Sequence, residues 1–139
     1  MILEHIGIAV KSLADSEPLF ETLLNTSPYK RETVADQHVI TSFFQTGASK
    51  VELLESTSDD GPIAKFISIR GEGIHHIAFE VEDILSEMER LKNAGFQLLQ
   101  ESPTIGADNK YVCFLHPRST NGVLIEICQS IPADYTLPC

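Results

Sequence analysis

Basic side chains are scarce in this sequence. Its 139 residues hold ten Lys and Arg against twenty Asp and Glu, a formal charge of −10. A nucleic-acid binder needs clustered Lys and Arg to displace phosphate counterions, so nucleic acid is not an expected partner. An anionic small molecule is compatible, because a bound cation or a few basic groups can reverse the potential inside a cleft. Cysteine is also sparse. Cys113, Cys128 and Cys139 are an odd number without metal-like spacing, which argues against a disulfide framework and assigns them to packing or tail. No apolar run approaches the length of a membrane span, and the first residues lack a basic-then-apolar signal. The expectation is a cytoplasmic protein with no membrane partner. Low-complexity segments are missing too, so the length reads as one globular domain, large enough to bury roughly two thirds of its unfolded surface.

What is present is a repeat. The stretch "EHIGIAV" near the start lines up with "HHIAFEV", so that His5 corresponds to His76, 71 residues later. Each copy is followed by a helical pattern. In the second, Asp83 is placed to cap, Ile84, Met88 and Leu91 share one face, and Gly95 stops the helix. In the first, Ser12 is placed to cap, with Leu13, Phe20 and Leu24 apolar; Pro18 predicts a kink or a later start. Strand-like runs follow near 28–34, at 38–47 and at 50–56, and again at 96–102, 110–117 and 123–129. Clusters such as "STSDDGP", "SPTIGADN" and "HPRSTNG" separate them as turns. The predicted architecture is α+β, two tandem βαβββ modules forming a curved, cupped mixed sheet. Module one covers 1–60, a linking helix about 61–72 and module two 73–130, leaving a tail at 131–139.

The two-residue period of strands sorts the side chains. In the first strand Ile6, Ile8 and Val10 share the face a helix should cover, while His5, Gly7 and Ala9 share the other. The small residues keep room in front of the histidine. In the second copy His76, Ala78 and Glu80 take the open face and His75 falls on the packed side. The last strand of each module adds a carboxylate on the open face, Glu52 in "KVELL" and Glu126 in "VLIEIC". Each half thus supplies one histidine and, 47 or 50 residues later, one glutamate. Converging on one curved surface, His5, Glu52, His76 and Glu126 suit a divalent transition metal with open positions. Taken singly, a histidine at a strand start is usually structural. A glutamate in an apolar strand is stranger, because an unpaired buried carboxylate is costly. The duplication joins the four into one hypothesis, and leaves Glu55 and Glu80 as rim or solvated groups.

Paired βαβββ modules with this His…Glu…His…Glu order resemble the vicinal oxygen chelate superfamily. The stretches "EHIGIAV", "KVELLE", "GPIAKF", "RGEGIHHIAFEVEDI" and "FLHPRSTNGVLIEI" are similar to the methylmalonyl-CoA epimerase family within it, over nearly the whole chain to about Gln129. The resemblance implies a divalent ion at His5, Glu52, His76 and Glu126. Cobalt is foremost, with Zn²⁺, Mn²⁺, Ni²⁺ and Mg²⁺ as alternatives. It implies an acyl-CoA substrate with two oxygens to chelate, a place in propionate metabolism and a homodimer. Epimerisation needs a C2 proton removed and returned on the opposite face, for which Glu126 and Glu52 are the catalytic candidates. Some members of the family carry a carboxylate at the position of Thr41 and a glutamine at that of Glu52, so the resemblance implies that Glu52 combines ligand and base roles here. His116, Arg118 and Ser119 in "HPRST" are candidates to meet the substrate carboxylate or thioester, against an ordinary Pro-containing turn. Lys65, Arg70 and Lys110 are candidates for the coenzyme A phosphates, against solvated cations. Rival readings are a glyoxalase I-type isomerase of a glutathione hemithioacetal and a binder without turnover. An extradiol dioxygenase is disfavoured, because it uses two histidines and one carboxylate.

Overall fold

A computed structural model describes residues 1–132. The element order repeats as the sequence does: β1 (Ile2–Ala9), α1 (Leu13–Leu24), β2 (Lys30–Val34), β3 (Val39–Thr46) and β4 (Ser49–Ser56). Then, after α2 (Pro62–Arg70), come β5 (Gly73–Glu80), α3 (Ile84–Asn93), β6 (Thr104–Gly106), β7 (Lys110–Leu115) and β8 (Ile125–Ser130). Two compact units result, one of Glu4–Ile77 and one of Met1–Leu3 with the described chain from Ala78 to Pro132, so the boundaries fall inside β1 and β5.

In the unit of Glu4–Ile77 the strands run β2-β3-β4-β1. β1 and β4 are parallel, with Gly7 opposite Glu52, and β3 and β4 are antiparallel, with Phe43 opposite Glu52. The predicted faces hold. Val10, Leu13, Phe44 and Leu53 are buried together with Ile8, Phe20 and Leu24 beneath α1. On the other face α2 brings Ile63, Phe66 and Ile67 against Ala9, Val39 and Leu54. Pro62 in the first turn suits α2, since its missing N–H would have no helical partner there. Ser12 caps α1 by accepting the Asp15 N–H at 3.2 Å. The later start that Pro18 suggested does not occur: α1 begins at Leu13 and runs through it. Pro18 and Ala14 are both exposed, so water can take the carbonyl that Pro18 leaves without a donor.

In the other unit β8 pairs antiparallel with β7, and Phe114 stands opposite Glu126 as Phe43 stands opposite Glu52. Ile84, Met88 and Leu91 of α3 bury against Tyr111, Cys113, Leu115 and Ile127. Asp83 accepts the Ser86 N–H at 3.2 Å as the cap, and Gly95, at φ +95°, turns the chain out of the helix. One strand moves. The run 96–102 makes only a bridge, Leu98 with Leu115, and the strand is Thr104–Gly106, in a stretch read as turn. The Gln100 side chain accepts the Phe114 N–H at 2.7 Å where a strand backbone would have done so, and Pro103 follows. The last part of the predicted tail, residues 133–139, and with it Cys139, lies outside the described residues. Among the described residues no helix is long and apolar enough to cross a membrane.

Candidate metal centre

β1, β4 and β5 bring three of the four predicted ligands together. His5, Glu52 and His76 are 5%, 4% and 5% exposed, far below what imidazoles and carboxylates show on a surface. The Nε2 atoms of His5 and His76 lie 2.9 Å apart. The Nδ1 of His5 lies 2.9 Å from Glu52 Oε2 and 3.1 Å from Glu4 Oε1. Glu4 in turn accepts from Lys50 Nζ at 3.2 Å. Ligand atoms of Glu4, His5 and Glu52 all fall within 4.8 Å of one another, a spacing that can hold a metal ion.

Gly7 is part of this geometry. A Cβ built on it would lie 2.2 Å from Cε1 of His76, so the imidazole occupies the space a side chain would need. The room that the small residues of β1 keep is therefore filled by the second histidine. His75, which alternation assigned to the opposite face from His76, instead reaches α2 over the face of Ala9 and Leu54, its ring 5.0 Å from that of Phe66. Burial pushes the pKa of His75 down to about 4. His76 is held well below the ordinary imidazole value by burial, with the charges of His5 and His75 adding to it. Both rings are thus kept in the neutral form that binds metals.

The facing Nε2 atoms test the fit of a cation. Two lone pairs 2.9 Å apart repel unless a proton or a cation lies between them. Nitrogens bound side by side to one ion at ~2.0–2.1 Å are themselves separated by about 3 Å. The buried carboxylates of Glu52 and Glu4, which meet His5 at its Nδ1, make the surroundings the mixed imidazole and carboxylate type that first-row divalent ions take.

Glu126 is buried in β8, 6% exposed, in the unit that begins at Ala78. His116 and Ser119 shape the turn after β7: His116 Nδ1 accepts the Arg118 N–H at 3.0 Å, and the Ser119 hydroxyl donates to the His116 carbonyl at 2.9 Å. Arg118 is exposed. Lys110 is corrected as a phosphate contact. It is 7% exposed and donates to Glu80 Oε1 at 3.2 Å and Ser130 Oγ at 2.7 Å, so its charge is turned inward. Glu80, its partner, is partly exposed, a rim position as expected. Glu55 receives the Leu13 N–H at 3.4 Å at the start of α1. The sequence reading missed Glu4 and Lys50. The signal was an acid directly before a candidate ligand and a lysine two residues before Glu52, but it needs the β1/β4 register, which sets His5 opposite Lys50.

Comparison with known proteins fits this arrangement. Residues 4–114 match the Glyoxalase/Bleomycin resistance protein/Dioxygenase superfamily. An uncharacterized Bacillus subtilis protein, YqjC, is 40% identical over 127 residues, 91% of this chain and 91% of its own. The ethylmalonyl-CoA/methylmalonyl-CoA epimerase of Cereibacter sphaeroides is 39% identical, covering 91% of this chain and 96% of its own. Streptomyces coelicolor methylmalonyl-CoA epimerase, solved in complex with 2-nitronate-propionyl-CoA, superposes with a TM-score of 0.89 at 29% identity, over 95% of this chain and 99% of that one. The fold is the α+β vicinal oxygen chelate fold, and the chain belongs to the glyoxalase/bleomycin resistance protein/dioxygenase superfamily.

Proposed function

We propose that the protein is a methylmalonyl-CoA epimerase, exchanging the two configurations at C2 of methylmalonyl-CoA with the help of a divalent cation. The observation that carries the reading is the pair of buried imidazole Nε2 atoms 2.9 Å apart, with Glu52 at the Nδ1 of His5, in a chain whose relatives include epimerases of this substrate. In this reading His5, His76 and Glu52 hold the cation. Glu126 completes the set, since it takes beside Phe114 the place that Glu52 takes beside Phe43. A cation held there would polarise the thioester carbonyl and offset the negative charge that develops as the C2 proton leaves.

The chain's own groups then move the proton. Glu126 takes it from one face of C2 and Glu52 serves the other, each passing between carboxylate and acid. Thr41, buried at 1% exposure, offers a hydroxyl whose acidity is too weak for that task, which leaves the second role to Glu52. Arg118, with His116 and Ser119, meets the substrate carboxylate or thioester. The resemblance further supports cobalt as the native ion and a homodimer as the assembly; the cytoplasm is proposed as the compartment because the first residues lack a basic-then-apolar signal.

The substrate handle is the test, because a glyoxalase I-type isomerase would run the same proton chemistry on a glutathione hemithioacetal. Cobalt-loaded protein should interconvert (R)- and (S)-methylmalonyl-CoA and leave the hemithioacetal of methylglyoxal and glutathione unchanged. Turnover of the hemithioacetal alone would contradict the proposal.

A further inference from the structure

Two adjacent histidines stand at the start of β5, and the metal reading uses one. The other is in contact with it: the Nδ1 atoms of His75 and His76 lie 3.0 Å apart. At that distance one of the two must carry a proton that the other accepts. A neutral imidazole carries a single proton, so the choice decides what the far end of His76 can do. If His75 donates, the proton of His76 is on Nε2, the atom 2.9 Å from His5 Nε2, and that nitrogen has no lone pair for a metal. If His76 donates, its Nε2 is left as a lone pair facing His5.

We infer that His75 is a positioning residue, whose Nδ1 accepts the Nδ1 proton of His76 and so fixes both the tautomer and the ring angle of the metal-binding imidazole. The inference rests on the proposal that His76 binds the cation. Metal-bound histidines ordinarily give their other ring N–H to an acceptor, most often a carboxylate or a carbonyl. His5 follows that pattern, with Glu4 Oε1 3.1 Å from its Nδ1. For His76 the neighbour at Nδ1 is an imidazole. The rings of His75 and His76 stand almost perpendicular, at 89°, and His75 is itself set edge-to-face against Phe66 at 78°. Phe66 thereby holds the acceptor and Gly7 admits the ring, so α2 and β1 together determine where His76 points.

The test compares chelator-stripped wild type, His75→Phe and His75→Asn for cobalt affinity and for the thermal midpoint without metal. Phenylalanine keeps a ring against Phe66 and removes the acceptor; asparagine restores an oxygen near the place of Nδ1. Cobalt affinity should fall ~10–100-fold in His75→Phe. It should recover in His75→Asn without following the midpoints. Wild type and His75→Phe binding cobalt equally would overturn the inference and leave the metal reading intact, whereas a wild type that binds none would overturn both. Should His75→Phe fail to fold, nitrogen-15 NMR of zinc-loaded wild type decides: a proton on His76 Nδ1, slow to exchange and bonded to His75 Nδ1, supports the inference, and its absence contradicts it.

Discussion

Gly7 shows how a single position can be read twice. As a small residue after His5 it promises space in front of an imidazole, and that space is present. What fills it could not be read, because the occupant comes from a strand 71 residues away and the close approach depends on how the strands meet. Real Cβ atoms do not come within 2.2 Å of a ring carbon, so Gly7→Ala must push the His76 ring or the backbone of β1 aside. The expected result is a loss of stability of about 1–3 kcal/mol in urea titrations of the metal-free protein. Cobalt affinity should drop at least tenfold as well. Undiminished affinity would mean that His76 is not held by this contact. Strand alternation favours His76 over His75 as the ligand, but it did not show that the two rings touch, their Nδ1 atoms 3.0 Å apart. Glu4 was not: alternation assigns it to the face away from His5, yet its carboxylate reaches within 3.1 Å of His5 Nδ1.

Among the elements, helices announced themselves by chemistry confined to a few residues. Ser12 and Asp83 each accept an N–H three residues on, and both helices begin where those side chains require. α1 keeps Pro18 in its interior, so it lacks one hydrogen bond and depends more on its first turn. Ser12→Ala should cost about 1 kcal/mol, read as a lower urea midpoint with an unchanged slope. An unshifted midpoint would show that the cap contributes nothing. Short edge strands were harder to read. Apolar content drew the prediction to 96–102, but the side chain of Gln100 satisfies the Phe114 N–H and Pro103 cannot donate, so pairing resumes only at Thr104. Substitution of a side-chain acceptor for a backbone one leaves no periodicity to find.

For the molecule as a whole, duplication made the fold and most of the candidate centre legible. Two copies of one βαβββ order place a histidine on the first strand and a glutamate on the last. That pairing sets a candidate ligand apart from a histidine that happens to begin a strand. The acidic composition is consistent with the same account, because an anionic substrate can then be drawn by a cation rather than by a basic surface. The central claim is that the buried imidazoles and carboxylates manage a proton beside a polarised carbonyl. It is tested most directly by following the C2 proton of methylmalonyl-CoA by NMR in D2O, with chelator-stripped protein and with the same protein reloaded with cobalt. The account predicts rapid loss of the C2 signal in the reloaded sample and little in the stripped one. Persistence of the signal with cobalt demonstrably bound would contradict it.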